Sequence, residues 1–211
     1  MRLEIDSSEP SSVYLPEPSP KGSLSLEAAI TGRRSARSFS ALPLTQLELF
    51  QILRAAQGIT DKGRGLRAVP SAGATYPLEV FVVCGHNGVA GIDEGVYRYN
   101  IVEHALSLHR EGDVRSALAR AALNQAFICE APVDIVICAL CQRTTRGYGG
   151  RGERYVYIEV GHAGQNIYLQ AVALGLATVA VGAFRDELVS QVLQLDKKCK
   201  PLYIMPVGRP A

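Results

Sequence analysis

From Ile167 to Phe184 the chain carries no charged residue, and such a run belongs either in lipid or in a protein interior. A membrane-spanning helix needs about 20 predominantly apolar residues. This run follows the polar Gln165 and Asn166, contains Gln170 and is interrupted by Gly175. Its composition also changes, from helix-forming Ala and Leu to the strand-like Ala177-Thr-Val-Ala-Val181. A buried helix followed by a buried strand accounts for the whole stretch.

Those two elements need a core around them. With 211 residues, 47% hydrophobic and 20% charged, the chain can build one substantial core and falls short of two comfortable domains. Residues 1–22 stand apart, with Pro10, Pro16, Pro18 and Pro20 interspersed among Ser and Glu. Proline excludes regular helix and central strand there, leaving an extended arm on the body or on a partner subunit, or a disordered tail. Residues 23–211 read as a single domain.

Within it, Ser23 or Ser25 can cap a short helix ending near Gly32. Thr45 and Glu48 form a T-x-x-E capping box, followed by Leu49, Phe50, Ile52, Leu53 and Ala56 at helical spacing. The β-branched run Leu78 to Cys84 predicts a strand, and Gly95 to Asn100 with Ala105 to His109 predicts a hairpin. An Ala-rich helix is expected from Asp113 to Gln125, and the most apolar strand within Pro132 to Cys141. A long helix is expected from Glu153 to Leu174, stopped by Gly175. A strand from Leu176 to Gly182, a helix from Asp186 to Leu195 and a strand from Pro201 to Val207 complete the order. Hairpins mixed with crossovers indicate an α+β fold with a mixed β-sheet flanked by helices.

A net charge of +2 gives no global case for nucleic acid or an acidic membrane surface. Five cysteines make an odd count, and Cys84, Cys138 and Cys141 lie in apolar runs, as in a reducing compartment. Cys138 and Cys141 form a C-x-x-C, but with no second pair and no nearby His they read as buried thiols rather than metal ligands. The acidic N-terminal residues and the lack of an apolar h-region argue against a signal peptide. A soluble, cytoplasmic protein without a metal is the expectation.

Three constellations could carry chemistry. Arg33-Arg34-Ser35-Ala36-Arg37 offers three guanidiniums and a hydroxyl without an acid, a set suited to phosphate. A solvated basic turn reads as well. Pro70-Ser-Ala-Gly-Ala-Thr-Tyr-Pro77 is a small-residue loop, stiffened by proline, that lets backbone approach a flat ligand. An ordinary loop is the alternative, and neither a dinucleotide fingerprint nor a P-loop is present. The end of the uncharged run, Val181-Gly182-Ala183, can expose backbone N–H groups able to bond flavin ring nitrogens, or simply turn tightly before a helix. Glu159 and His162 share a helix face at i, i+3 spacing. No further ligands suit a metal, so a packed or hydrogen-bonded structural histidine is expected.

In order and spacing these segments resemble the nitroreductase superfamily, and in detail its SagB-type dehydrogenase branch. The resemblance runs from Leu15 to Gly208. It takes in Ser25-Leu-Glu-Ala-Ala-Ile-Thr-Gly-Arg-Arg-Ser-Ala-Arg37, the loop at Pro70, Gly95-Val-Tyr-Arg-Tyr99, Gly161-His-Ala-Gly-Gln-Asn166, Gly175-Leu-Ala-Thr178 and Met205-Pro-Val-Gly208. It implies a nitroreductase-like fold and an FMN-binding homodimer with the flavin at the subunit interface.

Residue by residue, Arg33 and Ser35, with Arg34 between them, match positions that hold the phosphate and ribityl chain. Arg37 matches a cation near the N1/O2 edge of the ring, where positive charge would favour the anionic reduced flavin. Pro70, Ser71, Ala72, Gly73 and Ala74 match the loop approaching the flavin from the other subunit, with Ala74 where classical nitroreductases often carry Asn. Asn166, Val181, Gly182 and Ala183 complete the implied cofactor set, Gly182 and Ala183 as donors near N5. Arg209 is a further phosphate candidate.

One departure bears on activity. SagB-type enzymes that oxidise thiazolines and oxazolines in peptides carry Lys-Tyr-Gly-Glu-Arg ahead of the long helix, whereas this chain reads Gly147-Tyr148-Gly149-Gly150-Arg151. Tyr148 is kept as the implied catalytic residue, and the Lys that would share proton handling is absent. The implied activity is therefore an FMN-dependent oxidoreductase of ping-pong type, with NADH or NADPH as possible donor and a small-molecule or peptide substrate. An azoline dehydrogenase is the runner-up, and a flavin-binding protein without turnover is the reading from another class.

Overall fold

The computed structural model describes residues 12–17 and 19–211. Residues 1–11 and Pro18, which belong to the proline-rich arm, lie outside the described residues. The architecture follows from one strand, β7 (Val133–Ala139), in which every residue is buried. Successive side chains of a strand point to opposite faces, so full burial means that both faces of the sheet are covered. Val133, Ile135, Ile137 and Ala139 enter one core and Val136 and Cys138 the other.

The helices divide between those two cores. On the first face lie α2 (Gln46–Gln57) and α6 (Arg151–Ala173). On the second lie α3 (Arg115–Ala121), α4 (Phe127–Glu130) and α7 (Asp186–Val192). The remaining strands are β1 (Ser12–Tyr14), β4 (Leu78–Cys84), β5 (Gly95–Asn100), β6 (Ala105–Glu111), β8 (Ala177–Thr178) and β9 (Lys200–Gly208). Their order across the sheet is β1-β6-β5-β4-β7-β9-β8. Neighbouring strands pair antiparallel, and a parallel contact enters where Ser35 bridges Thr178. This is the expected α+β mixed sheet between helical layers.

Local signals account for most helix ends. Ser25 caps α1 (Leu26–Gly32) by accepting the Ala28 N–H at 3.2 Å. The Thr45–Glu48 capping box on α2 is formed in both directions, and Gly175 takes φ +68° just past α6, as a helix C-terminus requires.

Three sequence expectations are corrected, and two elements are added. The helix expected from Asp113 to Gln125 is only α3, because the Asp113 carboxylate takes the Arg115 N–H and guanidinium and Leu123 and Asn124 turn left-handed (φ +58° and +61°). The strand expected from Leu176 to Gly182 shrinks to β8 and a lone bridge from Val181 to Ile204. Two elements were absent from the sequence reading: the small hairpin of β2 (Ile59–Asp61) and β3 (Leu66–Arg67), and α5 (Gln142–Tyr148). Finally, His162 is exposed on α6 while Glu159 is buried, so the two do not share an environment and the histidine is not packed.

Candidate functional site

The segment after α1 is fixed by a neighbour from the far end of the chain. Arg33, the residue that ends α1, stacks its guanidinium over the Tyr168 ring at 5.2 Å. The Ser35 hydroxyl meets the Tyr168 hydroxyl at 2.9 Å, and the same phenol oxygen accepts the Ala180 N–H at 2.8 Å. Ala36 N–H donates to the Thr178 carbonyl at 3.1 Å. These bonds explain why the strand after Leu176 is short: Ala180 gives its N–H to a helix side chain instead of to β9. They also set the Arg33–Arg37 segment beside residues 178–180, next in sequence to Gly182 and Ala183.

The individual groups differ in how free they are. Arg33 and Arg37 form no ion pair among the described residues, and Arg37 is exposed. Arg34 folds back onto its own helix end, donating to the carbonyls of Thr31 and Arg33 at 3.0 and 2.8 Å. Gly182 and Ala183 are exposed, and their N–H groups find no acceptor among the described residues. Val181 is buried and donates to Ile204. Asn166 donates to the Ala55 carbonyl at 3.0 Å, tying α6 to α2. Arg209 is held by the Glu48 carboxylate at 2.9 Å, and the chain beyond it is pinned by Ser40 N–H on the Arg209 carbonyl.

A second group forms around residues 70–77. Ala72–Ala74 make one 3-10 turn with Gly73 at φ +58° and Ala74 at +52°, and Tyr76 is also left-handed at +44°. Left-handed conformations at non-glycine residues are costly and persist only when neighbours over-determine them. Here they do. Thr75 and Thr144 hydroxyls meet at 2.8 Å, Arg143 donates to the Tyr76 carbonyl at 2.9 Å, and Tyr76 N–H donates to Ser71 Oγ at 3.0 Å. A Cβ at Gly73 would lie 2.6 Å from the Tyr148 hydroxyl, so only glycine lets that phenol lie against the loop. Tyr148 itself is 41% exposed and meets the Tyr155 ring edge-on at 5.2 Å. Gly147 has open space where a side chain would grow.

Beneath the loop lies Glu159 of α6, 2% exposed, with Oε1 unpartnered. Burial pushes its carboxyl up to about 7, against the opposing pull of the Ser71 hydroxyl and the Arg67 charge. Arg67 lies over the Tyr76 ring at 4.4 Å and donates to Gln57 Oε1 at 2.9 Å. Tyr168, Glu159, Arg67 and Arg143 were not among the sequence-predicted site residues. Glu159 had a signal: a carboxylate at helical spacing with Val156, Val160 and Ala163 falls on the face that must be buried. Tyr168 had none beyond its nearness to Asn166.

The C-x-x-C is divided between the two cores, Cys138 in one and Cys141 in the other. Cys138 instead shares its core with Cys199, and burial pushes its thiol up. Among the described residues no group of three or more His, Cys, Asp or Glu is placed to hold a metal, and no helix is long and apolar enough to cross a membrane.

The fold and these motifs can be compared with known proteins. Residues 30–209 match the Nitroreductase family. The chain belongs to that family. A Methanocaldococcus jannaschii protein named as a nitroreductase, MJ1384, is 50% identical over 186 residues, 88% of this nitroreductase-family chain and 91% of its own. The crystal structure of a Ralstonia eutropha protein, also named as a nitroreductase, has a TM-score of 0.84 at 28% identity, covering 98% of this chain and 92% of its own. The Escherichia coli microcin synthetase McbBCD complex with truncated pro-MccB17 bound has a TM-score of 0.73 at 24% identity, covering 94% of this chain and 77% of its own, a likeness of fold. As a family member, this chain is a nitroreductase-like oxidoreductase.

Proposed function

We propose that the chain is an FMN-dependent oxidoreductase that works as a homodimer. It would cycle by ping-pong between a hydride donor, NADH or NADPH, and a small-molecule or peptide acceptor. The observation that carries this reading is the Ser35–Tyr168–Ala180 hydrogen-bond chain. It sets unpaired cations at Arg33 and Arg37 on one side of a segment whose other side ends in the free N–H groups of Gly182 and Ala183. Cations suited to phosphate and bare amides suited to a flavin ring fit FMN.

When bound, FMN supplies the hydride exchange itself. The chain's own groups would hold it: Arg33 and Ser35 toward the phosphate and ribityl chain, Arg37 toward the N1/O2 edge, Gly182 and Ala183 toward N5. Arg34 and Arg209 are occupied by internal partners and contribute by keeping the segment in place. Tyr148 would be the proton-bearing group toward the substrate, lying against the rigid loop at Gly73.

Helix geometry supports the dimer. Ser35 is hydrogen-bonded to Tyr168 and Ser71 lies beside Glu159, nine residues apart on α6. That spacing is a rise of about 13.5 Å and two and a half turns, so the two half-sites leave the helix on opposite faces. One flavin is served by both only if a second copy brings the complementary half. The single-domain reading of residues 23–211 and a reducing, cytoplasmic setting suit five free cysteines.

The test is purification and turnover. A yellow protein that oxidises NADH or NADPH with a nitroaromatic or quinone acceptor, and runs as a dimer in light scattering, is expected. A colourless protein that also refuses added FMN would overturn the reading. Flavin binding without turnover would favour a sensor or flavin carrier.

A further inference from the structure

The stretch that joins α5 to α6 carries positive charge that the proposed reaction leaves unused. Residues 143–154 hold four arginines and one glutamate, a larger positive excess than the +2 of the whole chain. Arg143 is already paired with Glu79 at 2.7 Å. Arg146, Arg151 and Arg154 are exposed and form no ion pair among the described residues.

Helix geometry keeps the last two unpaired. Arg151 and Arg154 stand three residues apart in the first turn of α6, so they are neighbours on one face, and like charges at that spacing repel. Glu153 is two residues from the first and one from the second, spacings that do not face each other on a helix. The first turn is also where the aligned peptide dipoles disfavour cations. The two arginines therefore cost α6 stability instead of adding to it.

Their neighbours lead to Tyr148. Arg151 lies four residues before Tyr155 and shares its face, and the Tyr155 ring meets Tyr148 edge-on at 5.2 Å. Gly150, Arg151, Glu153, Arg154 and Tyr157 line an open cleft of about 540 Å³. Tyr148 and Tyr157 are both exposed. Guanidiniums beside exposed phenol rings suit a planar molecule that bears an anionic group: the cations take the anion and the aromatic rings take the plane.

We propose that Arg151 and Arg154 are specificity-determining residues that select, at Tyr148, a hydride-exchange partner bearing a phosphate, carboxylate or sulfonate. The proposal rests on the reading that Tyr148 faces the reacting substrate of a flavin enzyme. The anionic group belongs either to the donor, as the extra phosphate of NADPH, or to the acceptor. A ping-pong cycle lets the two be measured apart.

In the FMN-loaded protein, stopped-flow follows flavin reduction by NADPH against NADH, then reoxidation by a naphthoquinone sulfonate against the uncharged naphthoquinone. An exposed ion pair is worth about two- to fivefold. The charged-over-uncharged preference in one half-reaction should fall by that factor in Arg151→Ala and in Arg154→Ala, and further in the double variant. Comparing each reagent pair between wild type and variant cancels the difference in redox potential between the reagents. Raising the ionic strength from about 0.01 M to about 0.15 M should shrink the wild-type preference and leave that of the double variant unchanged. Lysine at either position keeps the charge and should retain most of the preference.

A preference lost for NADPH assigns the anion to the donor, and one lost for the naphthoquinone sulfonate assigns it to the acceptor. A wild type indifferent to charge in both half-reactions overturns the proposal, as does a double variant with the wild-type preference or a lysine variant no better than alanine. A protein that takes up no FMN overturns the oxidoreductase reading instead. Naphthoquinone sulfonate binding to that flavin-free chain, weakened in the double variant, would then uphold the anion site, and its absence would overturn both.

Discussion

The hydroxyls of Ser35 and Tyr168, 133 residues apart in sequence, lie 2.9 Å from one another, and the Tyr168 oxygen takes in the Ala180 N–H as well. Removing that single oxygen leaves a part-buried backbone donor and a serine without partners. Tyr168→Phe should cost about 1–3 kcal/mol of stability, while the ring keeps its cation–π contact with Arg33. Thermal unfolding and an FMN titration check this: both the melting temperature and the affinity should fall. Two unchanged values would show that the hydrogen-bond chain is dispensable.

Arg37 is exposed and has no ion-pair partner among the described residues, so its charge is available to a ligand. If it meets the N1/O2 edge of the ring, it favours the extra negative charge gained on reduction. Arg37→Ala should then lower the flavin midpoint potential with FMN still bound, the lost charged hydrogen bond being worth about 1.5–3 kcal/mol. Redox titration reads this directly, and an unchanged potential would place Arg37 away from the ring.

Asp134 is fully buried in β7, and neither carboxylate oxygen has a hydrogen-bond partner among the described residues. Burial drives its pKa well above the usual carboxylate range, with only partial opposition from Arg115. The folded state thus keeps a proton that the unfolded chain gives up near pH 4, and stability falls as pH rises from there toward the folded value. Asp134→Asn cannot titrate, so its stability relative to wild type should be greater at pH 8 than at pH 5. Melting curves across that range test the sign; an equal difference at both ends would mean that Asp134 is ionised in the fold.

Gly147 leaves open space beside Tyr148, where the SagB-type pattern that this sequence resembles has a lysine. General acid–base groups contribute about 10²–10⁴-fold, so the wild-type chain should be slow or inactive on a thiazoline peptide. Gly147→Lys, assayed at matched FMN occupancy, should gain activity. Because Gly147 also loosens the backbone, the gain should be partial. Robust turnover by the wild type would move azoline oxidation to first place.

Elements with a local cause could be read from the sequence: the Thr45–Glu48 box, the Ser25 cap, the β-branched run of β4 and the stop at Gly175. Elements that depend on distant partners could not. The stretch Gln142–Tyr148 has paired threonines, a glycine and no apolar stripe, so α5 is stabilised by the 70–77 loop and by α6 rather than by its own pattern. The strand after Leu176 was over-read because nothing in Val179-Ala180 reveals that a tyrosine on the preceding helix takes an N–H. All three constellations were legible as candidates, while Tyr168, which ties the first to the third, and Glu159, buried beneath the second, sat within a helix that looked merely structural.

The two ends of the sheet bear on how the molecule meets its surroundings. On one side, Ser12, Val13 and Tyr14 pair with Ser107, Leu106 and Ala105; on the other, β8 is two residues long and Ser35 lies across it. An uncovered strand edge is a template for pairing with other chains, and here neither margin is left as a long bare ladder. Clipping the segment through Tyr14 would bare β6, and an oxidoreductase of otherwise intact chemistry would become prone to strand-by-strand association.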